Sequence, residues 1–146
     1  MMAQLGWKDQ RSANDAFVYE LEQQSLSDLA KALKKLWNTE SIKVVGPADM
    51  SFTKVGFAAG AVGYQAHLDM LRRDDVEVLM IGEVNEWETV EYVRDAISQG
   101  RKKALILTGH ANSEEAGMAY CAEWMKAFVK EVPVELVAAG DPFWAP

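Results

Sequence analysis

The stretch ALILTGHANSEEAGM, residues 104 to 118, joins two patterns of secondary structure across a short polar loop. Its first five residues, 104–108, are apolar or β-branched and predict a buried strand. A last helix is predicted to open near Asn112 or Ser113, with an apolar stripe that begins at Met118. A strand followed directly by a helix is the repeating unit of α/β proteins, so this stretch sets the expected fold class.

The same alternation of strand and helix recurs upstream, from residue 51 onward. The predicted strands are residues 41–46, 52–59, 75–81, 104–108 and 134–138, and the predicted helices are residues 26–37, 64–71, 86–99 and 112–130, with a weaker helical pattern over 16–21. This order predicts an α/β layered sandwich with a mainly parallel sheet flanked by helices. The strands 41–46 and 52–59 are close enough in the chain to pair antiparallel as an edge hairpin.

Composition limits the class of protein. The chain has 146 residues, 49% of them hydrophobic and 25% charged, with a formal net charge of −7. The acidic balance argues against nucleic acid as a partner, because phosphate contacts need a basic face. Cys121 is the single cysteine, and no apolar stretch is long enough to span a membrane. We therefore expect a soluble cytoplasmic protein with no membrane partner.

The chain divides into two parts of unequal length. Residues 1–24 are polar and weakly patterned, and we expect them to form an N-terminal extension of undetermined structure. Residues 25–146 are expected to form a single α/β domain. Ser25 and Asp28 have the spacing of a capping box, which marks the start of the first clear helix.

Polar or glycine-rich loops follow three of the predicted strands. In open parallel sheets, ligands gather outside the carboxyl ends of the strands. The loop 58–63 has only a GxxG spacing, a poor match to a dinucleotide fingerprint, and a tight turn explains it better. His67, in the helix that follows, is more often a surface or partly buried histidine than a ligand. Glu83 stands directly after its strand, where a ligand would approach.

The third loop carries His110, with Glu114 four residues later. An imidazole and a carboxylate at this spacing could share one divalent cation, with Zn, Mn, Fe or Ni all chemically plausible. The plainer interpretation is that Asn112 or Ser113 caps the helix while Glu114 and Glu115 complement its dipole. Spacing alone favours the plainer interpretation, because HxxxE is a common pattern.

Three segments together carry a resemblance to a known family: GEVNEWETVEYVRDA from residue 82, GHANSEEAGMAYCAEWM from residue 109, and PVELVAAGDPF from residue 133. In order and spacing they resemble the C-terminal part of the GTP cyclohydrolase I type 2 family. Its members are also called Ngg-interacting-factor-three-like or dinuclear metal-centre hexamer proteins. The resemblance covers about residues 26–142.

The resemblance implies an α/β domain that assembles into a toroidal homo-oligomer with two metal ions per subunit. The GHxxSE box of the family supplies one histidine and one glutamate ligand, which correspond to His110 and Glu114. Glu83 corresponds to the acid of the family's TGE loop. The family's other ligands come from an N-terminal half with a paired-histidine motif and a further aspartate, and this chain has no His-His pair. The visible ligand set is therefore incomplete.

Three hypotheses follow from this partial match. The first is a metal-dependent hydrolase acting on a small-molecule ligand, in which His110 and Glu114 bind the cation and Glu83 is the catalytic base or a further ligand. The second is a non-catalytic binding or assembly module, and the third is one component of a split metal site. For the homo-oligomer, Trp87, Trp124 and residues 143–144 are the candidate interface residues.

Overall fold

The computed structural model describes residues 2–140. Within that range the elements are β1 (Val18–Ser25), α1 (Leu26–Trp37), β2 (Lys43–Val45), β3 (Ser51–Ala58), α2 (Tyr64–Leu71), β4 (Val78–Ile81), α3 (Glu91–Ser98), β5 (Ala104–Leu107) and α4 (His110–Met125). A π-helical turn over Glu86–Val90 leads directly into α3.

The described strands form one mixed sheet in the order β1-β3-β4-β5-β2. The three central strands, β3, β4 and β5, run parallel, and the two edge strands are antiparallel to their neighbours. Helices connect the parallel strands, as a parallel crossover requires. The predicted α/β class, with a mainly parallel sheet and helices around it, is confirmed.

The core lies on both faces of the sheet. Successive side chains of a strand point to opposite faces, and the two faces of β4 illustrate this. Val78 and Met80 pack with Leu29 and Leu33 of α1 in one cluster. Leu79 packs with the other cluster, which includes residues of α2 and α3. Both faces of β4 are covered, and for that reason the strand is apolar at every position.

The prediction that strands 41–46 and 52–59 pair antiparallel as a hairpin is wrong. Residues of both segments do form strands, but β2 pairs with β5 at one edge and β3 pairs with β1 and β4. Gly46 begins the crossing between them and lies against the Cβ of Ala104. The near-continuous apolar strands β4 and β5 occupy the middle of the sheet, which separates β2 from β3.

The helix predicted over residues 16–21 is also wrong. Residues from Val18 onward form the edge strand β1, which pairs antiparallel with β3 and has an irregular register between Glu20 and Gln24. Val18 and Leu21 are buried in that pairing. Packing against β3 therefore decides the conformation of a segment whose local pattern was ambiguous.

The first clear helix begins and ends where its sequence predicted. α1 covers Leu26–Trp37, and the Ser25 hydroxyl accepts a hydrogen bond from the Asp28 amide at 3.1 Å. This contact satisfies one of the amides that has no partner inside the helix. Lys34 and Lys35 lie in the last turn, at the negative end of the helix dipole.

The C-terminal part differs most from the prediction. α4 ends at Met125 rather than near Lys130, and the strand predicted over 134–138 does not form. Much of the expected apolar stripe is exposed, with Met118 at 58% and Val132 at 60% of their maximal accessible surface. Among the described residues, no strand pairs with residues 134–138 to complete their backbone hydrogen bonds. Residues 143–144, proposed as interface residues, lie outside the described range.

No helix within residues 2–140 combines the length and the apolar character that crossing a membrane requires.

Candidate functional site

Three loops meet at one edge of the sheet because the strands before them run parallel. The Glu83 amide donates to the Gly60 carbonyl at 3.1 Å, and the Gly109 amide donates to the Gly82 carbonyl at 3.0 Å. The backbones approach so closely that a Cβ on Gly82 would lie 2.6 Å from the Gly60 oxygen. The loops after β3, β4 and β5 therefore form a single packed unit at the carboxyl edge.

The start of α4 corrects the capping interpretation of this stretch. The helix begins at His110, with Gly109 at the N-cap position and no side-chain capping bond. The Ser113 hydroxyl instead donates to the His110 carbonyl at 2.7 Å and accepts from the Gly60 amide at 2.8 Å. The Asn112 amide donates to the Thr108 carbonyl at 3.0 Å. The Ser113 side chain thus joins two loops and the Asn112 side chain bonds back to the end of β5, so neither residue caps the helix.

His110 lies between the two acidic residues that the sequence singled out. Its Nε2 is 3.1 Å from Glu114 Oε2, one helical turn away, and its Nδ1 is 3.3 Å from Glu83 Oε1. The three side chains are about half exposed, at 47%, 56% and 46% for His110, Glu83 and Glu114. The structure thus brings all three predicted site residues together at the protein surface.

The two carboxylates change the charge state of the imidazole. The contact with Glu83, followed by the Coulombic attraction of Glu114, raises the pKa of His110 above its ordinary value of 6.5. In the chain without metal, the two carboxylates therefore extend the protonated form of His110 to higher pH than an isolated imidazole would have. A metal ion binds only the deprotonated nitrogen, so it has to displace that proton.

The geometry fits one pair of metal ligands. Two ligand atoms at about 2.0–2.2 Å from one ion lie roughly 3 Å apart. His110 Nε2 and Glu114 Oε2 share a hydrogen bond of 3.1 Å, and that separation is also compatible with the spacing of two ligand atoms. Glu83 contacts the opposite ring nitrogen, and a carboxylate in that position usually orients a histidine that binds a metal. Within residues 2–140, no three histidine, cysteine or acidic side chains are placed to hold an ion together.

The space for this pair exists because residue 60 is a glycine. A Cβ at Gly60 would lie 2.2 Å from Glu114 Oε1 and 3.1 Å from His110 Nε2. The residue also has a φ of +61°, in the left-handed region that favours glycine. The predicted interpretation of loop 58–63 as a tight turn is therefore incomplete, because the turn also forms one wall of the candidate site.

A cleft of about 370 Å³ opens beside this site. It is lined by Ala61, Gly63, Tyr64, His67, Glu83, Val84, Asn85 and Glu88. His67 is only 3% exposed, and its Nδ1 lies 2.9 Å from the Thr89 hydroxyl. Burial lowers the pKa of His67 below 6.5, against an opposing effect of the Glu88 charge. From the sequence, we expected His67 to be a surface or partly buried histidine. No sequence pattern indicated Thr89 as its hydrogen-bond partner.

Sequence comparison identifies one family. The profile of Duf34/NIF3 (NGG1p interacting factor 3) matches residues 1–142, which extends the expected resemblance to include the first 25 residues. No curated protein sequence matches the chain.

Solved structures share the fold at low sequence identity. The protein ybgI, of unknown function, has a TM-score of 0.71 and 21% identity over 97% of this chain and 55% of its own. Staphylococcus aureus protein SA1388 has a TM-score of 0.62 and 21% identity, over 88% of this chain and 41% of its own. A Bacillus cereus protein related to NIF3 has a TM-score of 0.63 and 18% identity, over 88% and 35% respectively. The chain thus spans between about a third and just over half the length of these proteins.

We expect the two histidines to titrate in opposite directions from 6.5 in the metal-free protein. NMR titration of the imidazole resonances should give a pKa above 6.5 for His110 and below 6.5 for His67. Glu83→Gln should lower the His110 pKa more than Glu114→Gln does, because the Glu83 contact contributes most. The chain has only two histidines, so the one imidazole signal that remains in His110→Asn belongs to His67, and the signal that is lost belongs to His110. Two indistinguishable titrations near 6.5 would contradict this prediction.

Gly60→Ala should disturb the site as well as the backbone. The left-handed φ predicts a loss of about 1 kcal/mol in the free energy of unfolding, measured by denaturant titration. The added methyl group should also push the Glu114 carboxylate away and lower the His110 pKa toward 6.5. Gly100→Ala is the matched control, because Gly100 has a φ of +77° and no atom near its absent Cβ. Equal effects of both variants on the His110 pKa would refute a steric role for Gly60.

Proposed function

The chain belongs to the Duf34/NIF3 family, and from that premise we propose that it binds a divalent metal ion through His110 and Glu114. The observation that carries this proposal is the 3.1 Å separation of His110 Nε2 and Glu114 Oε2, in the space that Gly60 leaves open. Zn, Mn, Fe and Ni all suit an imidazole and a carboxylate.

In this proposal, Glu83 orients His110 and does not itself bind the metal ion. Its carboxylate contacts His110 Nδ1, so it would hold the ring in the tautomer that presents the Nε2 lone pair to the ion. The sequence suggested Glu83 as a catalytic base or additional ligand. Its position beyond the far ring nitrogen favours a positioning role over either alternative.

The activity that this site supports best is hydrolysis of a small molecule. A bound divalent ion lowers the pKa of a coordinated water, which supplies a nucleophile near neutral pH. The chain's own residues would contribute the two ligands, the orientation of His110 and the adjacent cleft as a place for substrate. Two protein ligands leave several coordination positions open. A second polypeptide that supplies further ligands is therefore a natural complement, as in the split-site hypothesis.

Metal analysis of protein purified without chelator tests the proposal. We expect one divalent ion per chain, lost in His110→Ala and in Glu114→Ala. Glu83→Gln should retain the site with affinity lowered by about 10–100-fold, as removal of an orienting partner does. The control is Glu123→Gln, an exposed acid on the same helix that pairs with Lys126. Metal content unchanged in both ligand variants would exclude this site.

A second proposal concerns assembly, and the surface of α4 supports it. Tyr120 and Trp124 on α4, together with Phe128 in the turn that follows it, recur every four residues and are exposed by 74%, 59% and 53%. The Trp124 and Phe128 rings pack edge to face, with centroids 4.7 Å apart. Exposed aromatic patches of this kind often mark protein interfaces. We propose that this surface, named here the α4 aromatic stripe, contacts a second copy of the chain.

Sedimentation should detect self-association of the wild-type chain at micromolar concentration. Trp124→Ser should shift the dissociation concentration upward by roughly tenfold or more, as the loss of an interface tryptophan commonly does. Phe17→Ser is a control, because Phe17 is a 62% exposed aromatic residue outside α4. A wild-type chain that stays monomeric at every practical concentration would rule out the interface.

A further inference from the structure

One buried hydrogen bond joins the two walls of the cleft beside His110. His67 of α2 and Thr89 of the π-helical turn are 3% and 0% exposed, and His67 Nδ1 lies 2.9 Å from the Thr89 hydroxyl. The other lining residues fall on the same two sides, those within 61–64 on the side of α2 and those within 83–88 on the side of the turn. In the part of the chain that the structure describes, this is the single side-chain hydrogen bond between α2 and the turn. The contact therefore connects one wall of the cleft to the other.

The second ring nitrogen makes this contact suitable for the neutral imidazole. His67 Nε2 has essentially no accessible surface and no hydrogen-bond partner within residues 2–140, so solvent does not reach it. In the neutral ring, Nδ1–H donates to the Thr89 hydroxyl while Nε2 carries a lone pair. Protonation adds a hydrogen to Nε2, and burying a positive charge with an unpaired donor costs far more free energy than burying a lone pair.

The charged groups around the ring do not offset this cost. Three acids on the surrounding elements pair with cations: Asp69 with Arg72 at the end of α2, Glu86 of the turn with Lys43, and Glu91 with Arg94 on α3. Glu83, in the loop after β4, contacts His110, and β4 itself has no charged residue. The charge of Glu88 favours a positive charge on His67, but burial has the larger effect and lowers the pKa of His67 below 6.5.

We propose that His67 is a pH-sensitive switch that controls how far the cleft opens. While its ring is neutral, it holds α2 against the π-helical turn. When the ring takes up a proton, the two elements separate, Nε2–H reaches solvent and the cleft widens. The inference goes beyond the proposed function, because neither His67 nor Thr89 is one of its metal ligands.

The direction of the pH dependence follows from the burial of the ring. In the open form the exposed imidazole has its ordinary pKa of 6.5, whereas in the closed form the pKa of His67 is lower. The open form therefore binds more protons between these two values. The closed form has its full stability above about pH 6.5 and loses stability as the pH falls from there to the lowered pKa of His67. Acid thus opens the cleft, and neutral pH closes it.

NMR of the metal-free chain tests the switch. Backbone amide signals of both walls, in residues 64–71 and 86–90, should shift with one common midpoint below pH 6.5, equal to the midpoint of the His67 ring. Amide exchange, corrected for its intrinsic pH dependence, should show that the protection of these residues falls by about threefold to tenfold between about pH 7 and about pH 5.5. Their protection should also stay below that of the buried amides of Leu105 and Ile106 in β5. Protection equal to that of β5 at both pH values would mean that only global unfolding exposes the walls, and it would overturn the proposal.

Two variants assign the effect to this contact. His67→Gln has no titratable side chain at this position, so the pH dependence of exchange on both walls should disappear, whereas His110→Asn should retain it. Thr89→Val removes the hydroxyl at similar volume and should lower the protection of both walls by about tenfold even at neutral pH, as the loss of a buried partner does. Thr108→Val is the matched control, because Thr108 is a 0% exposed threonine whose hydroxyl donates to the Ile81 carbonyl, away from α2. It should leave the protection of the two walls unchanged.

The variants also define the results that contradict the switch. An unchanged pH dependence in His67→Gln, or wild-type protection in Thr89→Val, would refute it. If His67→Gln does not fold, the common midpoint in the wild type and the Thr89→Val result still decide.

The outcome is independent of the metal experiment. Stoichiometric metal at His110, in a chain whose walls exchange alike at both pH values, would remove this inference and leave the proposed function intact. Opening at acid pH in a chain that binds no metal would do the reverse.

Discussion

The buried hydroxyl of Ser113 holds the candidate site together. It donates to the His110 carbonyl and accepts from the Gly60 amide, so one atom joins the start of α4 to the loop after β3. The hydrogen bond from the Gly60 amide to this hydroxyl determines which face of α4 turns toward Gly60. Because His110 and Glu114 are one turn apart on this helix, their position above Gly60 follows from the same contact. The parallel sheet brings the loops near one another, and this hydroxyl sets how they meet.

The sequence predicted most of the elements because their local patterns agree with their burial. α1 has a capping residue and an apolar stripe that packs on the sheet, and its bounds matched the prediction. β4 and β5 are apolar throughout, which is the pattern of central parallel strands. The errors fall on segments whose conformation depends on distant neighbours. β1 forms because β3 lies beside it, whereas no strand in the described part of the chain pairs with the predicted strand 134–138.

For the candidate site, the residues could be selected from the sequence, but the contacts between their side chains could not be predicted. Position after strand ends drew attention to Glu83 and His110, but the family resemblance was needed to assign His110 and Glu114 as metal ligands. Neither could show that the two ring nitrogens of His110 face different carboxylates, since that depends on where α4 begins. A serine near a helix start also looks like a cap, so the bond from Ser113 to Gly60 had no distinct pattern. The cleft at His67 depends on α2 packing beside the π-helical turn, which lies some twenty residues away in the chain.

The edges of the sheet constrain how the chain can associate. β2 has only three residues and carries Lys43, and β1 has an irregular register along its length. Short, charged or irregular edge strands are poor templates for pairing with another strand. Continuous sheets built across copies of the chain are therefore disfavoured. In the proposed homo-oligomer, contacts between copies would therefore involve helical surfaces rather than the strand edges, which in other proteins can template fibres.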